Sequence, residues 1–75
     1  MTFEEMVSEE YSRAAKQHRP INSVHEGYAV ILEELDEFWE EVRKKRERRS
    51  KEDMRKELVQ IAAMCWRTAV DCEVM

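Results

Sequence analysis

Apolar positions recur with a helical period along three stretches of the chain. Phe3, Met6, Val7, Tyr11, Ala14 and Ala15 form the first stripe and predict a helix over about Phe3–Gln17. Arg19-Pro20-Ile21-Asn22 breaks it, because proline disfavours helical geometry in the residue before it. Tyr28, Ile31, Leu32, Leu35, Phe38, Trp39 and Val42 predict a second helix over about Val24–Arg48, with Gly27 in its first turn, where glycine costs least. A third helix is predicted from Lys51 to near the last residue, with a stripe of Met54, Leu58, Ile61, Ala62, Cys65 and Ala69. Each start carries a hydroxyl residue with an acid three positions on: Thr2 with Glu5, Ser23 with Glu26, Ser50 with Asp53.

Between Leu58 and Trp66 the third helix is apolar on most of its circumference, which predicts burial between its own subunit and a neighbour. The expected fold is all-α: one domain over residues 1–75, an antiparallel hairpin of the two long helices with the shorter one packed across it. Oligomerisation then completes a multi-helix bundle.

Composition sharpens this picture. One glycine and one proline in 75 residues, with 40% of residues charged, describe helices rather than strands and tight turns. A core of this size is marginal without disulfides, a structural metal or oligomerisation. Cys65 and Cys72 lie seven apart in one helix, roughly 10 Å along its axis, which excludes a bridge between them and fits reduced thiols in the cytoplasm. His18 and His25 lack the spacing to the cysteines that structural zinc requires. A homo-oligomer, dimer or tetramer, is the remaining expectation. The start Met1-Thr2-Phe3-Glu4-Glu5 is acidic where a signal peptide is basic, and the longest apolar run is Ile61 to Trp66, so a cytoplasmic protein away from membranes is expected.

Net charge is -4, yet nine of the thirteen basic residues fall between Arg43 and Lys56. Such a run attracts phosphates, but the acidic balance and the lack of interleaved aromatics argue against nucleic acid. Cations near a helix C-terminus also complement its dipole, the plainer reading. Eight of the seventeen acids lie between Val24 and Arg48. With Ile31 at zero and about 100° per residue, the apolar stripe spans about 340° to 100°, and Glu34, Glu41, Glu37 and Glu33 fall near 300°, 280°, 240° and 200°. Glu57 takes a similar place on the third helix, near 260° from Leu58. Two facing helices can thus aim carboxylates into one site. Like charges repel at close range, so such a cluster either faces solvent or holds a hard cation.

Glu33-Glu34-Leu35-Asp36-Glu37, followed after a basic connection by Glu57-Leu58-Val59-Gln60, resembles the Glu-Glu-x-x-Glu and Glu-x-x-Asp signature of the MazG-like all-alpha nucleotide pyrophosphohydrolases. The resemblance spans roughly His25 to Asp71, and this chain is short for that family. It implies magnesium, with manganese as a substitute, held by Glu34, Glu37 and Glu57, with Gln60 where the family carries aspartate. It implies hydrolysis of ribo- or deoxyribonucleoside triphosphates to monophosphate and pyrophosphate; Glu33, the acid preceding the ligands, is the uncoordinated carboxylate nominated as the base that takes a proton from water. Gln60 offers an amide oxygen but removes one negative charge from the ligand set. The basic connection from Arg43 to Lys51 is a candidate countercharge to the phosphates.

The alternative is a non-catalytic helical oligomer of the same fold, acting as a binding or scaffolding module. Trp39 and Trp66 are expected in the core or an interface rather than on a nucleobase. Cys65 is expected in the core, and His25 as a surface or packing residue rather than a ligand. Gln60, the one polar side chain between Leu58 and Trp66, is expected to contact either the metal cluster or its counterpart across a subunit interface.

Overall fold

A computed structural model describes all residues, Met1–Met75. It is an all-α, three-helix domain without strands: α1 over Phe3–Gln17, α2 over Val24–Val42, a short 3-10 turn at Arg46–Arg48, and α3 over Lys51–Asp71. No helix is long and apolar enough to cross a membrane.

The three predicted starts hold. Thr2 and Glu5 form the reciprocal capping box, the Thr2 hydroxyl accepting from the Glu5 amide at 3.1 Å and the Glu5 carboxylate from the Thr2 amide at 2.8 Å. Ser23 and Ser50 each accept the amide three residues on at 3.1 Å. Glu26 does not complete a box; its carboxylate takes the Asn22 amide at 2.7 Å and the Arg19 guanidinium instead, which pins the α1–α2 connection.

The second helix ends at Val42, six residues short of the Arg48 expected from sequence. From Arg43 to Arg49 six of seven residues are cations and none is apolar, so continued helix would stack like charges one turn apart with nothing to bury. Lys45 leaves helical geometry, and Arg49 Nε caps the helix by donating to the Val42 carbonyl at 2.9 Å.

α2 and α3 form the antiparallel hairpin: Gly27, near the start of α2, meets Thr68, near the end of α3. α1 packs on α3 as well, and α1 and α2 do not pack on each other. A cleft therefore runs between α1 and α2 with α3 as its floor. The core is thin. Val7, Ala14, Val59, Ala63 and Met64 form it, with Met6, Tyr11, Val30, Ile31 and Ala62 packed around them. Tyr11 stacks on Trp66 with ring centroids 4.3 Å apart.

Gly27 does more than occupy a cheap position. A Cβ placed there would lie 2.5 Å from Thr68 Cγ2, so the missing side chain sets how closely α2 approaches α3.

The stripes themselves face differently from expectation. Tyr28 is 68% and Trp39 57% exposed, and Leu32 and Leu35 are exposed between them. On α3, Leu58 and Trp66 are exposed, and Cys65, expected in the core, is exposed too. The inward side of α2 runs from about 260° to 20° on the same wheel, over Val30, Glu41, Glu34, Gly27 and only the near edge of the stripe, Phe38, Ile31 and Val42. Both helices turn toward their acids and away from the centres of their apolar stripes. The two stripes consequently fall on one side of the α2–α3 pair, opposite the cleft.

Candidate functional site

The antiparallel register of α2 and α3 decides which acids meet. Glu34 and Glu37, one turn apart on α2, are brought to Glu57 on α3, and ligand oxygens of the three lie within 4.8 Å of one another. Glu34 and Glu57 are half-buried and Glu37 is exposed. One oxygen of Glu34 and one of Glu57 are fully enclosed without a hydrogen-bond partner. Buried acceptors left unpaired are costly, and native structures rarely keep them without a water or ion.

Electrostatics carries the same mark. Burial, then repulsion from and hydrogen bonding to Glu37, with smaller repulsion from Glu57 and Glu33, pushes the Glu34 carboxyl up to about 7. Glu57 is raised as well, by burial first and then by its hydrogen bond to and repulsion from Glu37, with Lys56 opposing. The fold thus assembles three carboxylates whose ionised forms it does not neutralise. An octahedral magnesium ion with oxygens at roughly 2.1 Å needs neighbouring ligand oxygens about 3 Å apart and opposite ones about 4 Å apart. The oxygens here, within 4.8 Å of one another, would have to draw closer around such an ion; the all-oxygen donor set suits a hard cation.

The other expected residues flank this cluster. Glu33 is exposed on the α2 wall of the cleft, next to Glu34. Gln60, half-buried one turn after Glu57, faces α1 and lines the cleft as well as a second, larger and more open hollow of about 530 Å³ beside Met6, Glu9 and Lys56. The basic connection lines neither: Arg43 and Lys44 pair with Glu40 and Glu41 on α2, and Arg49 caps the helix.

Two residues had escaped the site read from sequence. Glu41 turns one carboxylate oxygen inward, enclosed and unpaired, while the other accepts from Lys44 at 2.8 Å; its angle near 280°, between Glu34 and Glu37, was the available cue. Arg67 is the second. Only 6% exposed, it lies on the cleft floor, and its position about 180° from Leu58 made it a solvent-facing residue by periodicity. The cleft encloses about 350 Å³, within the range of small-molecule sites. No protein-family model, no curated protein and no solved structure matches this chain.

Proposed function

We propose that this chain is a cytoplasmic, metal-dependent hydrolase that splits nucleoside triphosphates into monophosphate and pyrophosphate, and that it works as a homo-oligomer. The observation that carries the reading is the convergence of Glu34, Glu37 and Glu57 from two helices with enclosed, unpaired oxygens. Such a cluster is unfavourable alone and favourable around a divalent cation. The resemblance of Glu33 to Glu37 and Glu57 to Gln60 to the MazG-like signature supports the same chemistry.

In this reading Glu34, Glu37 and Glu57 would hold magnesium, and Gln60, one turn after Glu57, would have to turn from the α1 side toward them to add an amide oxygen. When bound, the ion would neutralise phosphate charge and polarise the scissile phosphoanhydride. The chain's own residues do the rest. Glu33, exposed at the cleft, accepts a proton as water attacks the α-phosphorus; the α–β phosphoanhydride bond breaks and pyrophosphate leaves. The cleft between α1 and α2 has room for a nucleotide and borders the carboxylates through Glu33 and Glu34.

The oligomer reading rests on the apolar side of the α2–α3 pair. Tyr28, Leu32, Leu35, Trp39 and Leu58 are exposed together there, a concentration of large apolar side chains that soluble domains rarely leave in water. A second copy of the same face covers it with like residues and leaves the cleft open. The alternative, a non-catalytic helical scaffold, draws on this face alone.

Pyrophosphate release from a panel of ribo- and deoxyribonucleoside triphosphates, with magnesium or manganese, tests the enzyme. Metal-dependent release is expected from the native chain, falling about 100-fold or more in Glu34→Gln and Glu57→Gln. A folded oligomer that releases no pyrophosphate from any triphosphate would reject the hydrolase in favour of the scaffold.

A further inference from the structure

The apolar side of the α2–α3 pair has a relief of its own. On α2 it is a ridge: Leu35, Tyr28, Trp39 and Leu32, all exposed, occupy the arc from about 40° to 100° on the wheel. On α3 it is a shallow trough, because the outward positions after Leu58 carry only Ala62, Cys65 and Ala69, in the arc from about 340° to 40°. The Tyr11–Trp66 stack borders this trough on the α1 side. From Leu58 to Ala69 no charged side chain falls in either arc.

Two copies can meet through this side about a two-fold axis in two ways. An axis across the helices sets ridge on ridge and trough on trough, which crowds α2 and leaves a void along α3. An axis along the helices sets each ridge into the other copy's trough, the large-against-small packing that fills space. Such an axis permits no sliding, so the heights follow from the subunit's own register. Gly27 lies level with Thr68 and Glu37 with Glu57. Trp39, Leu35, Leu32 and Tyr28 therefore come level with the partner's Lys56, Gln60, Ala63 and Arg67. The outward residues there are Leu58, Ala62, Cys65 and Ala69, so Leu35, Leu32 and Tyr28 each fall in a gap between two of them and Trp39 falls just past Leu58. At the rim Asp36 of one copy and Arg55 of the other, both without an ion pair in the subunit, come within about 6 Å in height, an arginine's reach.

We propose that the homo-oligomer is built on a two-fold dimer in which α2 of each copy lies in the α3 trough of the other, a four-helix bundle with both clefts facing outward. The inference rests on the homo-oligomer reading and adds its arrangement: the occupant of the trough is a second copy, because its ridge fits by size, register and rim charge.

Disulfide trapping on the full chain provides the test. In this arrangement Tyr28 of one copy stands over Cys65 of the other, while the two Cys65 side chains, like the two Tyr28 side chains, sit on diagonally opposed helices beyond bridging distance. Chains carrying Tyr28→Cys, Cys65→Ser and Cys72→Ser are mixed with chains carrying Cys72→Ser alone and treated with a thiol oxidant. Covalent dimer is expected in the mixture, about tenfold or more above either chain by itself. Covalent dimer from the Cys65 chain alone, without enrichment in the mixture, would mark the axis across the helices and overturn the proposal. So would an oligomer that forms no cross-link in any sample.

Should Tyr28→Cys fail to fold, Cys65→Trp decides. Cys65 is exposed in the subunit, so the indole leaves the helix content unchanged, yet it fills the trough. The dissociation constant of the dimer should then rise about 10- to 100-fold, and an unchanged constant would reject the trough as the docking surface. Light scattering on the native chain separates this arrangement from the reading beneath it. An oligomer with the wrong cross-links removes the arrangement and keeps the homo-oligomer; a monomer at all concentrations removes both.

Discussion

Glu34 is the residue whose surroundings most constrain its chemistry. Its carboxyl is raised to about 7 by burial and by Glu37, Glu57 and Glu33 around it, while in the unfolded chain it titrates near the ordinary value of 4.5. Between these two values the folded state holds more protons than the unfolded one, so stability falls as pH rises through that window. Glu57, raised for similar reasons, adds to the slope. The metal-free protein should accordingly melt at a lower temperature at pH 8 than at pH 5. Magnesium competes with those protons, so its stabilising effect should grow over the same interval. Thermal melts across pH 4.5 to 8, with and without magnesium, read both trends; stability that rises with pH in metal-free protein would contradict the site. Gly27 makes a second residue-scale prediction. A methyl group at that position lies 2.5 Å from Thr68 Cγ2 and 2.7 Å from its hydroxyl, so Gly27→Ala should destabilise by about 1–3 kcal/mol through overpacking. Adding Thr68→Ala removes both atoms and should restore most of the loss in urea denaturation.

Each helix owes its position to its ends as much as to its stripe. The α1–α2 connection is tied to the end of α3 by two bonds, the Ile21 amide to Asp71 at 2.8 Å and Arg67 to the Arg19 carbonyl at 2.8 Å. This clamp spans the mouth of the hairpin, where α1 has no contact with α2 to hold it. At the other end Ser50 caps α3 just before the turn that carries Glu57 toward Glu37. Ser50→Ala should cost about 1 kcal/mol, seen as a lower urea midpoint with an unchanged slope. The helix starts were legible because a hydroxyl before an acid is a local signal. The end of α2 was not, since the reversal at Lys45 follows from charge crowding and from the demand that α3 lie back along α2.

At the scale of the whole molecule, a thin core and a wide apolar back are complementary facts. No large side chain is fully buried, yet a row of leucines and aromatics faces outward along the α2–α3 pair. In a homo-oligomer that row becomes the second half of the core. Leu32→Glu together with Leu35→Glu should dissociate the assembly, read as a fall to monomer mass in light scattering, with a concentration-dependent melting temperature lost at the same time. If the native protein is monomeric at all concentrations, the apolar face serves some other partner.

Periodicity and caps were sufficient for the three helices, their order and the all-α class, because a helix is specified by residues three and four apart. On the helical wheel they gave a bank of Glu33, Glu34, Glu37 and Glu41 with Glu57 on the third helix, and only the resemblance to the MazG-like signature narrowed it to Glu34, Glu37 and Glu57. Rotation of the helices was beyond their reach. An amphipathic stripe in isolation predicts that its centre is buried; only the packed structure revealed that α2 and α3 meet along the acidic edge of their stripes, with Gly27 permitting the approach and Leu58 and Cys65 left outside. Arg67 was illegible for the same reason. Its burial depends on α1 lying across α3 and on a carbonyl 48 residues earlier in the chain, and long-range packing of that kind leaves no trace in local spacing.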